Sequence, residues 1–166
     1  MRTILCIVVL VVMAATAWAE DSGITRKTLT GVDQIYVMVT VTGSEAGRSA
    51  IDQSGILTDV ELSARRSGLK IASREMAAQT NGVPLLGIDI DTLKVDVMPG
   101  LFAYSVQMEL SQWATLVRAP STSQFITTWG TVSHGTVGGK NLGNLRQDVR
   151  EVMGRFINAW LAANRK

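Results

Sequence analysis

Ten residues in the middle of the chain restrict the fold more than any others. Phe102, Tyr104, Val106, Met108 and Leu110 are apolar, and Ala103, Ser105, Gln107, Glu109 and Ser111 between them are small or polar. Successive side chains on a β-strand point to opposite faces, so this alternation gives one face to a core and the other to water. A half-wet strand needs strand neighbours and a cover on its apolar side. Pro99-Gly100 and Arg118-Ala-Pro-Ser121 punctuate the chain on either side. Together they predict a three-stranded antiparallel meander between Leu85 and His134, with helices on one face.

Upstream, Val32 to Thr42 reads as a strand. Ile35, Val37, Val39 and Val41 share one face, while Tyr36 and Met38 on the other predict cover on both sides. Gly43 to Ser49 has turn composition. From Ser54 to Ser67 the apolar period becomes helical, with Ile56 or Leu57, Val60 and Ala64 forming the stripe. Arg65 and Arg66 suit the last turn, and Gly68 is placed to cap it in the left-handed region. Leu69 to Ala72 follows as a short strand. Strand, helix and strand in that order predict a right-handed βαβ crossover with parallel pairing.

Ser73 to Thr80 predicts a brief helix ended by Asn81-Gly82. Leu86, Ile88 and Ile90 share a parity that Leu93, Val95 and Val97 break, which predicts a bulge or a break near Thr92. A similar slip between Leu110 and Trp113 suggests a bent sheet or strands that outrun the core. The third strand covers Gln124 to His134, with Phe125 and Trp129 on one face and Ile126 and Val132 on the other. Gly135 to Gly143 reads as a glycine-rich connection. A long helix over 144–163 closes the pattern, with Asn144 and Gln147 approximating a capping box.

Compartment follows from the amino terminus. Met1-Arg2, the apolar run Ile4 to Ala15 and Ala17-Trp18-Ala19 before Glu20 have the three parts of a secretory signal peptide. The run is shorter than the roughly 20 apolar residues a membrane-spanning helix requires. The expectation is cleavage after Ala19, export to the periplasm or beyond, and no transmembrane segment afterwards. Residues 20–31 are polar and read as a loose leader to a single domain over 32–166. The one cysteine, Cys6, lies within the apolar run, so the exported chain forms no disulfide and relies on its core. Taking Arg2 from the 16 Lys and Arg leaves 15 against 14 Asp and Glu, a net charge of +1. Without a clustered basic face, such a balance gives no reason to expect nucleic acid.

Several constellations invite chemistry. Asp89-Ile-Asp91-Thr-Leu93 resembles the Asp-x-Asp motif of the haloacid-dehalogenase phosphatases, which would make Asp89 a nucleophile and Asp91 an acid and base. It has one residue fewer before the threonine than that family, and alternating acids on a wet strand face account for it as well. Gly135-Thr-Val-Gly-Gly-Lys140-Asn141 resembles a phosphate-binding loop, one residue short and with Asn141 where a hydroxyl would hold magnesium. His134 is the one histidine, so no His-based metal cluster is expected. Trp113, Trp129 and Trp160 are candidates for either core packing or a binding surface.

In element order, Ile35 to Arg74 resembles the α+β domains of exported envelope proteins. These include the amino-terminal domain of the Tol-Pal propeller protein and the curli-secretion lipoprotein domain. The chain from Glu20 onward also resembles a group of small exported bacterial α+β proteins of unassigned function. What the resemblance implies is an envelope role and no functional residue. The fold expected is α+β: one sheet of about five strands, mixed or antiparallel, packed by helices 54–67 and 144–163. The function expected is non-catalytic binding of an envelope protein or small ligand, with no catalytic, cofactor or metal residues assigned. The alternatives are a phosphate-ester hydrolase using Asp89 and Asp91, and a carrier of an apolar ligand.

Overall fold

A computed structural model describes residues 21–79 and 82–165. The signal-peptide reading of residues 1–19 and the helix stop at Asn81 lie outside the described residues. Five strands make one mixed sheet: β1 (Gln34–Gly43), β2 (Lys70–Ile71), β3 (Leu85–Lys94), β4 (Leu101–Leu116) and β5 (Ala119–Gly138). Their spatial order is β2-β1-β3-β4-β5. β1 runs parallel to β2 and β3, and the β3–β4 and β4–β5 pairs are antiparallel. Helices α1 (Gly23–Arg26), α2 (Glu45–Ala50), α3 (Gln53–Ser67), α4 (Arg74–Gln79) and α5 (Leu145–Asn164) complete the domain. The architecture is the α+β one that the alternating strand and the two helical stripes predict.

The core is a single layer between sheet and helices. Ile35, Val37, Val39, Leu86, Ile88, Ile90, Val106, Met108 and Leu110 point toward it from the strands and are buried. Ile56, Val60 and Ala64 of α3 meet them, as do Val149, Val152, Met153, Phe156 and Ala159 of α5. Each fully buried large aliphatic side chain contributes roughly 1.5–3 kcal/mol. Trp129 of β5 and Phe156 of α5 are both fully buried, with ring centroids 5.3 Å apart in an edge-to-face contact. Helix α3 is closed at both ends by its own sequence. The Asp52 side chain accepts from the Gly55 N–H, and Gly68 at φ 101° bonds Arg65 while Leu69 bonds Ala64 in a Schellman turn.

Several expectations change. The segment before β1 is not loose: α1 and a short 3-10 turn (Lys27–Leu29) bury Leu29 completely. Asn164 of α5 holds it, donating to the Leu29 carbonyl and accepting from the Gly31 N–H. Gly43 to Ser49 contains α2 rather than an open turn, because Ser44 caps it by accepting from the Gly47 N–H. β1 is interior but covered on one face, with Met38 43% exposed on the other. Of the bulge or break expected near Thr92, the structure has no bulge but an end to the strand two residues later. β3 keeps one register to Lys94 and stops, so Val95 and Val97 belong to the turn and their parity carries no meaning.

The second slip does mark an irregularity, between Leu110 and Ser111. Leu110 faces Trp129 and Ser111 faces Thr127, so Thr128 is the extra residue and the bulge lies on β5. That bulge inverts parity, which is why Phe125 and Trp129 point to opposite faces instead of sharing one. β5 is also longer than expected at both ends. The β4–β5 turn sits at Val117 and Arg118, placing Pro120 within the strand. At the far end β5 absorbs Gly135–Gly138, and a 3-10 helix (Gly139–Asn144) leads into α5. Asn144 therefore has helical torsions and no side-chain capping bond, so the capping box is not formed.

Candidate binding surface

The helices cover one side of the sheet, leaving the other open. Asp89 and Asp91 lie there, two residues apart on β3 and exposed. Thr42 Oγ1 of β1 donates to Asp91 Oδ1 at 3.0 Å. The neighbouring positions are Gln107 opposite Asp89 and Ser105 opposite Asp91, and Gln107 Nε2 donates to Glu109 at 2.6 Å. The two carboxylates thus stand on a flat wet surface rather than in a cleft. His134 faces Ser105 across the β4–β5 pair and is exposed. The glycine run that resembles a phosphate loop is extended strand through Gly138, so it forms no cradle ahead of α5. Among the described residues no group of three or more His, Cys, Asp or Glu is placed to hold a metal ion.

On the helical side, a shallow groove runs between α3 and α5, floored by Ile56, Val60 and Met153 and edged by Asp59. Arg146 forks onto Asp59 with two bonds of 2.7 Å, and Arg150 adds bonds of 2.9 and 3.2 Å to the same carboxylate. These guanidinium bonds, Arg146 first, hold the Asp59 carboxyl far below the usual carboxylate range. With both cations committed to one acid, the cluster ties α5 to α3 and leaves little for a ligand.

The unexpected surface is the far end of the β4–β5 pair. Burial by the helices stops at Leu110 and Trp129, yet both strands continue to the turn at Val117 and Arg118. On this arm Trp113 and Phe125 stand opposite one another on the open side of the sheet. Their ring centroids are 5.8 Å apart, edge to face, and they remain 51% and 43% exposed. Val117 at the tip is almost fully exposed. Polar bonds brace the base: Gln112 Nε2 donates to the Thr28 carbonyl at 3.1 Å and to Thr128 Oγ1 at 2.8 Å. Of the three tryptophans weighed from sequence, Trp129 is core and Trp160 donates to the Val32 carbonyl, which leaves Trp113 as the one presented outward. Phe125 could not be found by alternation, since the Thr128 bulge had to be known first. The parity slip after Leu110 was the available signal.

No family model matches the chain, and no curated protein matches it. Among solved structures, it is similar to a dodecamer of a PelC point variant from Paraburkholderia phytofirmans, at 12% identity and a TM-score of 0.43, over 79% of this chain and 90% of that one. A second PelC dodecamer from the same organism, in another crystal form, gives 15% identity and a TM-score of 0.36 over 81% and 89%.

Proposed function

We propose that this is an exported, non-catalytic protein that binds a protein partner through the β4–β5 arm. One observation carries the proposal: a preformed pair of exposed aromatic rings, Trp113 and Phe125, on strands that extend past any helical cover. A fold gains nothing from leaving two large rings in water, and Trp is enriched among residues that dominate binding energy. Export is supported by the signal-peptide pattern ahead of Glu20. The flat setting of Asp89 and Asp91 does not favour the phosphate-ester reading, because a phosphoryl transition state needs donors converging from several sides. An apolar carrier needs an enclosed cavity, and the groove beside Asp59 is shallow.

The test uses the exported protein as bait in envelope extract, beside a Trp113→Ala/Phe125→Ala variant. A partner held by the wild type should be lost by the variant, with its affinity reduced by about 30-fold or more, the size of a hot-spot loss of 2 kcal/mol. Equal capture by both forms would remove the arm from the function.

A further inference from the structure

The two edges of the sheet are built differently. β2 is two residues long and carries Lys70, 72% exposed at its side chain and paired with Asp33, so that edge is short and charged. β5 forms the other edge and runs for 20 residues. None of them is Asp, Glu, Lys or Arg. Exposed edges are ordinarily blunted by charge, proline or brevity, because their free N–H and C=O groups invite another strand. β5 has a proline only near its start, at Pro120, and the amino-terminal segment covers its middle, where Thr28 Oγ1 donates to the Thr128 carbonyl. Gly130 is itself buried, which leaves Thr131 to Gly138.

Two bonds fix how this run faces. The Gly139 N–H donates to the Gly100 carbonyl on the β4 side, whereas the Val132 carbonyl accepts from Arg155 Nη1 at 3.2 Å. Odd-numbered residues therefore turn their backbone toward β4, and the exposed Val132, His134 and Thr136 turn theirs outward. The outward set is symmetric about His134. Among the described residues, Arg155 makes a side-chain bond to this outward backbone, an exposed contact that a strand displaces at little cost.

We infer that the Val132–Thr136 edge of β5 pairs antiparallel with the same edge of a second copy, about a two-fold axis at His134. The run is its own complement: reversed, outward groups meet outward groups, with His134 opposite His134 and Val132 opposite Thr136. Having no charge, it meets no like charge on itself and offers none for a charged partner strand to recognise. Val132 (47% exposed) would gain the β-branched Thr136 of the second copy as its cross-strand neighbour. Five residues span about 17 Å at the usual rise, and pairing along them would join the five-stranded sheets into one of ten. This surface is separate from the Trp113–Phe125 arm, and either can fail without the other.

Sedimentation of the purified full chain carrying Cys6→Ser should give twice the monomer mass. Proline is tolerated on an edge strand where the N–H faces outward, so His134→Pro should leave the thermal melt of the monomer unchanged. It should weaken association by about tenfold or more, as should Thr136→Lys. Trp113→Ala/Phe125→Ala should leave the dimer intact. In the Cys6→Ser background, His134→Cys is the sole thiol. A short bis-maleimide, whose two alkenes each add one thiol, should link two His134→Cys copies, and should link Val132→Cys only when it is mixed with Thr136→Cys. A monomer at all concentrations, a dimer that survives both edge substitutions, or linking that favours Val132→Cys alone would each overturn the inference.

Discussion

Gly47 shows how closely one residue can be specified by a neighbour far away in sequence. It sits in α2 against Thr92 of β3, which is fully buried and whose Oγ1 bonds Ser44 Oγ at 3.0 Å. A Cβ on Gly47 would collide with Thr92 Oγ1 and stand 2.8 Å from Thr92 Cβ. Thr92 is β-branched and held in a strand, so it cannot rotate away. Gly47→Ala should therefore destabilise the protein by about 2 kcal/mol, as overpacking does. In the Thr92→Ala background, which removes the hydroxyl, the same change should cost less. Urea denaturation of the four forms would measure that coupling, and strictly additive costs would contradict the contact. The same residue explains a misleading sequence signal. Thr92 continues the buried parity of Leu86, Ile88 and Ile90, but as a threonine followed by Leu93 it reads as a break. Asp89 and Asp91 were legible as wet-face acids because alternation fixes a face without any tertiary knowledge. The aromatic pair was not, because its two members meet only across a bulged register.

At the scale of elements, those with their own punctuation were readable. Helix α3 has Asp52 at one end and Gly68 at the other, and β4 alternates over its whole buried length. The 3-10 lead into α5 was not, since a glycine run is compatible with strand, turn and helix alike. The amino-terminal segment is the sharpest case. Its composition is polar, and the contacts that fix it, Leu29 beneath α5 and Trp129 Nε1 donating to Asp21 Oδ1 at 3.0 Å, join it to residues a hundred positions away. A salt bridge from Arg26 to Asp21 at 2.6 Å then holds the Asp21 carboxyl below its usual range. If this segment is part of the domain, Leu29→Ala should cost about 2–5 kcal/mol, the range for a buried leucine in any core. An unfolding midpoint unchanged by that substitution would return the segment to the status of a leader.

The molecule as a whole divides by cover rather than by connectivity. β3 lies between β1 and β4 with α3 and α5 beyond, so its amides can open only when the layer comes apart. The arm from Ser111 to Thr127 belongs to the same continuous strands but has no helix above it and is braced chiefly through Gln112 and Thr28. Local stability follows buried apolar contact, and an uncovered two-stranded ribbon is marginal in water. Native-state hydrogen exchange should therefore resolve two levels. Amides of β3 should exchange at the free energy of global unfolding, and those of the arm several kcal/mol below it, on the order of local fraying. Trp113→Ala should move neither level by more than about 0.5 kcal/mol, the range of surface substitutions. Arm amides as protected as those of β3 would show that the two strands are already held along their full length. A low-stability arm bearing exposed rings is suited to becoming ordered against a partner, and binding should then raise protection in the arm while leaving β3 unchanged.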